Sequence, residues 1–328
     1  MSDQKNGVLV QARRIPFPSS VSKEARVRLE RQVDEDGVPL NARYTMPSPD
    51  DHAGWMQLKA AAEGHYAAAV KGLAGTLRAT VETVRTGTAT IHVATPETLG
   101  VPHRAYVDFH GGAFVLGGGE ACRMQAQMQA DQHQAICYGV DYRMPPEHPY
   151  PAGLDDALAA YRYVLDRHPP SRIVVGGRSA GGNLAAAMLL RAKEEGFPMP
   201  AGLILLSPQV DLTESGDSFQ VNQMVDVVLP TSLMRNNELY AGGADLSDPY
   251  LSPLFGDLTD FPPAFVQSGT RDLFLSNAVR MHRALRQANV AAELHVFEAM
   301  PHGGFQGNTP EDDQLAVDIC RFVQARWG

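Results

Sequence analysis

The chain has 328 residues, 44% of them hydrophobic, enough to bury a large core as one α/β domain with an embellishment or as two domains. Its formal net charge is -9 with acidic and basic residues interspersed, which argues against nucleic acid or an anionic membrane surface as a partner. Cys122, Cys137 and Cys320 stand apart with no C-x-x-C spacing, as reduced thiols of a cytoplasmic protein do, and neither a signal-peptide core nor a bilayer-length apolar run is visible.

Residues up to about Thr80 differ from the rest. Val21 to Leu29 and Trp55 to Leu77 carry Ala, Leu and Val at helical spacing, joined by a charged, Pro-bearing and partly irregular connection from Glu30 to Asp51. This stretch, 1–80, reads as a helical segment that covers something rather than as a unit with its own core. Val81 to Val93 then alternates as a hairpin, with Arg85-Thr86-Gly87-Thr88 as its turn.

From there strands and helices alternate. Ala105–Phe109, Ala135–Val140, Arg172–Gly176, Leu203–Ser207, Ala264–Gln267 and Glu293–Phe297 read as strands. Leu154–Asp166, Asn183–Leu190 and Leu275–Gln287 read as helices. Thr309-Pro310 opens a last helix as N-cap and N1, with Leu315, Ile319, Phe322 and Val323 on its buried face. Such alternation implies a mostly parallel central sheet with helices on both faces. Residues 211–248 interrupt it with polar turns and an amphipathic piece, Val221 to Tyr240. That is an expected insertion over the C-terminal edge of the sheet, where ligands bind in such folds. Residues 81–328 are thus the expected catalytic domain.

Gly177-Arg178-Ser179-Ala180-Gly181 sits between an apolar β-branched strand and an Ala- and Leu-rich helix. A G-x-S-x-G at that junction forms a tight, strained turn that lifts the Ser hydroxyl above the sheet, over the positive end of a helix. Ser179 is the candidate nucleophile and the N–H of Ala180 a candidate oxyanion donor. His110-Gly111-Gly112-Ala113 follows another strand, and its glycine pair lets backbone N–H groups turn towards a ligand. Asp272 and His302 each lie just past a later strand. A Ser hydroxyl needs a base to take its proton, and the base needs a carboxylate to fix its tautomer and stabilise its cation. Asp211, Asp260 and Glu298 are rival acids, but none combines a strand end with the place expected before His302. The histidines lack metal-ligand spacing, so neither a metal nor an organic cofactor is expected.

From Val81 onward the chain resembles the hormone-sensitive-lipase-like carboxylesterases, also called bacterial type IV esterases, of the α/β-hydrolase fold. The resemblance rests on the HGG block at His110, on Asp141-Tyr142-Arg143-Met144-Pro145-Pro146-Glu147, and on the Ser-Ala-Gly-Gly elbow. Ser207-Pro208, Asp248-Pro249, Ser252-Pro253-Leu254 and the Asp272 and His302 blocks are similar too, and Pro16 to Leu29 is similar to the start of the family's helical cap. It implies a serine esterase acting on small to medium carboxylic esters through an acyl-enzyme, with Gly112 and Ala113 as oxyanion donors and homodimers common. A lactonase, a carbamate hydrolase or an arylformamidase would use the same atoms, and a non-catalytic hormone receptor shares the fold. Two residues depart from the pattern: Ala113 stands where the family usually has a third glycine, and Arg178 precedes the nucleophile. An unpaired buried guanidinium would cost several kcal/mol, so Arg178 is expected on a carboxylate, Asp141 or Glu147 first and Asp108 next, or open to solvent.

Overall fold

The computed structural model describes residues 7–73 and 76–327, without the side chains of 65–75. It begins with α1 (Lys23–Glu30), capped by Ser22, whose Oγ accepts the N–H of Ala25, and α2 (His52–Leu73). Helical spacing had pointed on to Leu77; residues 74 and 75 lie outside the described residues, and Thr76 and Leu77 lie outside the helix. The hairpin β1 (Thr80–Thr86) and β2 (Ala89–Thr95) turns at Gly87 and Thr88.

Next come β3 (Ala105–Phe109), α3 (Glu120–His133), β4 (Ile136–Asp141), α4 (Ala152–Leu165), β5 (Ile173–Arg178), α5 (Ala180–Glu194) and β6 (Gly202–Leu206). Two short helices, α6 (Ser218–Val221) and α7 (Met234–Ala241), lead to β7 (Ala264–Gly269), α8 (Leu275–Gln287), β8 (Ala292–Phe297) and α9 (Pro310–Trp327). Helix α3 escaped the sequence reading because its stripe is made of Ala126, Ala130 and Cys122 among Gln and Met, too small and polar to stand out. The stretch from Val221 to Tyr240 is not one amphipathic piece: the chain between α6 and α7 is irregular and held by side-chain acceptors, Asp226 above all.

The eight strands form one sheet in the order β1-β2-β4-β3-β5-β6-β7-β8, antiparallel at β1, β2 and β4 and parallel from β4 to β8. On one face α4, α5 and α8 bury Leu154, Tyr161, Leu184, Leu189 and Met281. On the other, α3 and α9 bury Ala126, Ala130, Ile319, Phe322 and Trp327 against Tyr106, Val174 and Ile204. Parallel strands covered on both faces read as continuous apolar runs, which is why β3, β5 and β6 were legible. All parallel strands end on one edge, so the loops after β3, β5, β7 and β8 meet there.

Candidate active site

The turn from β5 into α5 is closer than any side chain at its glycines would allow. A Cβ on Gly177 would stand 2.2 Å from Gly181 O, and one on Gly181 would stand 2.0 Å from Phe109 O. Ser179 takes φ 57 and ψ -122, a conformation that costs an L-residue of order 1–3 kcal/mol and persists only where the surroundings impose it. Its N–H donates to Leu206 O, and its carbonyl accepts Gly182 N–H, Asn183 N–H and Gln209 N–H.

His302 Nε2 lies 3.0 Å from Ser179 Oγ, and His302 Nδ1 lies 3.0 Å from Asp272 Oδ1. Three side chains from the ends of β5, β7 and β8, distant in sequence, therefore form one hydrogen-bonded line. Asp272 is fully buried, with Oδ1 also accepting Phe274 N–H and Oδ2 accepting Ser268 Oγ–H. Burial alone would push this carboxyl up, but His302 and then the Phe274 N–H hold it below the usual carboxylate range. The Phe274 ring meets the His302 imidazole edge-on, with centroids 4.8 Å apart. The rival acids are elsewhere: Asp211 is bound by Thr213, Ser215 and Arg280, and Asp260 and Glu298 are exposed.

The loop after β3 lies against the elbow. A Cβ on Gly111 would come 3.1 Å from Arg178 O and 3.5 Å from Ser179 Cβ. Gly112, Ala113 and Phe114 have φ 117, 52 and 64, so the loop runs through the left-handed region and Ala113 holds a conformation that suits glycine better. His110 Nδ1 lies 2.8 Å from Gly111 O, its ring stacks on Tyr142, and the Tyr142 hydroxyl donates to His110 O. Burial lowers the pKa of His110, so the neutral ring donates from Nδ1 and fixes the loop. Among the described residues the N–H groups of Gly111, Gly112, Ala113 and Ala180 find no protein acceptor.

His110, Cys122 and Asp141 bring one donor atom each within 4.8 Å of one another beneath this loop, the one grouping of described residues able to approach a metal ion. These groups already have local roles. His110 holds Gly111, Asp141 accepts Gly119 N–H and faces His92 at 3.4 Å, and burial keeps the Cys122 thiol protonated.

Arg178 is half-buried and reaches none of its expected partners. Asp141 is engaged as above, Glu147 pairs with Lys59 at 2.7 Å, and Asp108 accepts Gln125 Nε2–H. The guanidinium instead donates to Gly303 O at 2.5 Å, with the Asp312 carboxylate as its strongest favourable charge. β5 carries this side chain under the loop that holds His302, a proximity that no local motif announces. Asp226 also escaped the sequence reading: it is fully buried and binds the loops on both sides of the site. A lone carboxylate in the apolar run Met224-Val225-Asp226-Val227-Val228-Leu229 was the available signal, since buried charges are found paired or richly hydrogen-bonded.

A fold with strands of this order, carrying Ser, Asp and His in that order at the ends of β5, β7 and β8, defines an α/β hydrolase. The family model for the α/β-hydrolase fold matches residues 106–306. An acetyl-hydrolase from Streptomyces hygroscopicus is 37% identical over 201 residues, 60% of this chain and 66% of that protein. An esterase from Acinetobacter venetianus is 35% identical over 219 residues, 65% of this chain and 72% of that one. The matched stretches thus span about two thirds of these curated relatives. Among solved structures, esterase E25 superposes with a TM-score of 0.87 at 32% identity, covering 97% of this chain and 98% of that one. An esterase of the bacterial hormone-sensitive lipase family superposes with a TM-score of 0.76 at 28% identity, covering 94% of this chain and 99% of that one. The chain belongs to the α/β-hydrolase family, in its branch of bacterial hormone-sensitive-lipase-like carboxylesterases.

Proposed function

We propose that this protein hydrolyses small to medium carboxylic esters through an acyl-enzyme on Ser179. The observation that carries the reading is the unbroken line Ser179 Oγ, His302, Asp272 with both links at 3.0 Å. His302 Nε2 takes the Ser179 proton as Oγ attacks the ester carbonyl carbon. The oxyanion is held by N–H groups of the loop Gly111, Gly112 and Ala113 and of Ala180, donors that need no reorganisation during the reaction. Collapse of the tetrahedral intermediate expels the alcohol, protonated by His302, and leaves the acyl ester on Ser179. Water activated by His302 then repeats the sequence and releases the acid. An intact triad disfavours the receptor reading, and lactonase, carbamate hydrolase and arylformamidase activities are not favoured by the relatives' names.

The proposal includes a cap made of residues 1–80 and 211–248. Its support is contact between the two pieces: Asn41 Nδ2–H donates to Val228 O, the Arg235 guanidinium donates to Met46 O, and Trp55 is buried against Leu239 and Val115. Val115 belongs to the oxyanion loop region, so the cap bears on the substrate's side of the site. A cytoplasmic setting, supported by three unpaired cysteines, and a homodimer complete the reading. No described helix is long and apolar enough to cross a membrane.

Turnover of p-nitrophenyl acyl esters of increasing chain length tests the activity. Ser179→Ala should lower kcat by about 10⁴- to 10⁶-fold with Tm retained. More than a few per cent residual activity in pure variant protein would assign the nucleophile elsewhere. In the same panel Trp55→Ala should change the chain-length preference, and an unaltered profile in a folded variant would detach this part of the cap from the substrate.

A further inference from the structure

Asp226 sits in the irregular chain between α6 and α7, with no exposure to solvent. Its Oδ1 accepts Val228 N–H at 2.9 Å and Leu229 N–H at 3.1 Å, folding its own segment around the carboxylate. Its Oδ2 accepts Leu273 N–H at 2.8 Å, from the residue next to the triad acid. The N–H of His302 itself points between the two oxygens, 3.3 Å from each. One carboxylate thus grips the backbone of the acid loop, the backbone of the base and the inserted segment. Neighbouring Asn222 reinforces the grip, its Nδ2–H donating to Asp272 O at 2.8 Å.

A neutral side chain could not replace this arrangement atom for atom. Four N–H groups converge on two oxygens, and an amide offers one oxygen and two hydrogens. The ionisable groups facing Asp226 are Asp272 and His302. Burial, and then the Asp272 charge, raise its carboxyl to about 6, which measures the cost of placing a second acid here. Resting on the triad reading above, we propose that Asp226 is a positioning residue for ester hydrolysis, clasping the Asp272 and His302 loops to the inserted segment and adding a negative charge beside the backbone of His302. The charge favours the imidazolium that forms as Ser179 attacks, while the N–H bonds keep the imidazole aimed at Oγ.

The test compares Asp226→Asn and Asp226→Glu with wild type in the p-nitrophenyl butyrate assay, with Tm and circular dichroism on each protein. The Asn variant should lose tenfold or more in kcat with KM changed less than threefold. Because an anion near the imidazole favours its protonated form, removing it should move the acid limb of the kcat/KM profile down by about 0.5 pH unit or more. The Glu variant keeps the charge but displaces the oxygens, so its kcat should fall while its acid limb stays in place. A packing role would lower Tm and move neither limb. A folded Asn variant with kcat within threefold of wild type and an unmoved limb overturns the proposal, as does failure of both variants to fold. An active Ser179→Ala enzyme would instead mark failure of the triad reading, whatever the Asp226 variants do.

Discussion

Asp272→Asn separates two ways in which a triad acid can work. In the general scheme an amide in this place offers its NH₂ to the imidazole, forcing the tautomer that cannot accept the Ser proton. The surroundings of Asp272 oppose that orientation. Phe274 N–H donates to Oδ1, the same oxygen that meets His302 Nδ1, so an NH₂ there would face a backbone donor as well as the imidazole. With the amide turned the other way, its oxygen serves both donors and its NH₂ meets the hydroxyl of Ser268, which can rotate to accept. The tautomer is then preserved and only the charge is lost. Two unit charges about 4 Å apart at an effective dielectric of about 20 interact by about 4 kcal/mol, and 1.36 kcal/mol is one decade of rate, so kcat should fall by about 10³-fold. The assay is kcat for p-nitrophenyl butyrate across pH, alongside the rate at which a fluorophosphonate labels Ser179. The acid limb should move to lower pH, since imidazole without the Asp272 charge protonates less readily. A loss below tenfold, or an acid limb that stays put, would refute the charge argument.

Arg178→Ala should lower stability by about 1–3 kcal/mol, because it leaves the carbonyl of Gly303 without its donor beside His302. Tm by calorimetry reads this. Selectivity between neutral esters and carboxylate-bearing ones should change less than threefold, and a selective rise in KM for acidic esters would make Arg178 a substrate contact. Burial lifts the Asp108 carboxyl to about 7, whereas the unfolded chain ionises near the ordinary value of 3.8. Between those pH values the folded state binds the extra proton, so this group's contribution to stability falls as pH rises from about 4 to about 7 and levels off above that. Asp108→Asn, which keeps the oxygen that accepts Gln125 Nε2–H, should raise Tm more at pH 8 than at pH 4.5. An equal effect at both would contradict the shift.

Much of this protein was legible because its signals are local. Apolar runs covered on both faces marked β3, β5 and β6, the Thr309-Pro310 pair opened α9, with Thr309 Oγ1 accepting the N–H of Asp312, and glycines flanking Ser179 announced a turn that admits no Cβ. The order Ser179, Asp272, His302, each at a strand end, limited the candidate chemistry before any distance was known. What tertiary structure decided was which polar groups meet across the edge of the sheet. Arg178 meets a carbonyl 125 residues away rather than Asp141 or Glu147, because β5 directs it under the loop after β8 and β3 stands between β5 and β4, which ends at Asp141. Asp226 reads in sequence as one carboxylate in an apolar run, and only folding brings Leu273 N–H and His302 N–H to it. Strand and helix patterns depend on neighbours along the chain, whereas a buried charge depends on which backbone donors the finished fold delivers to it.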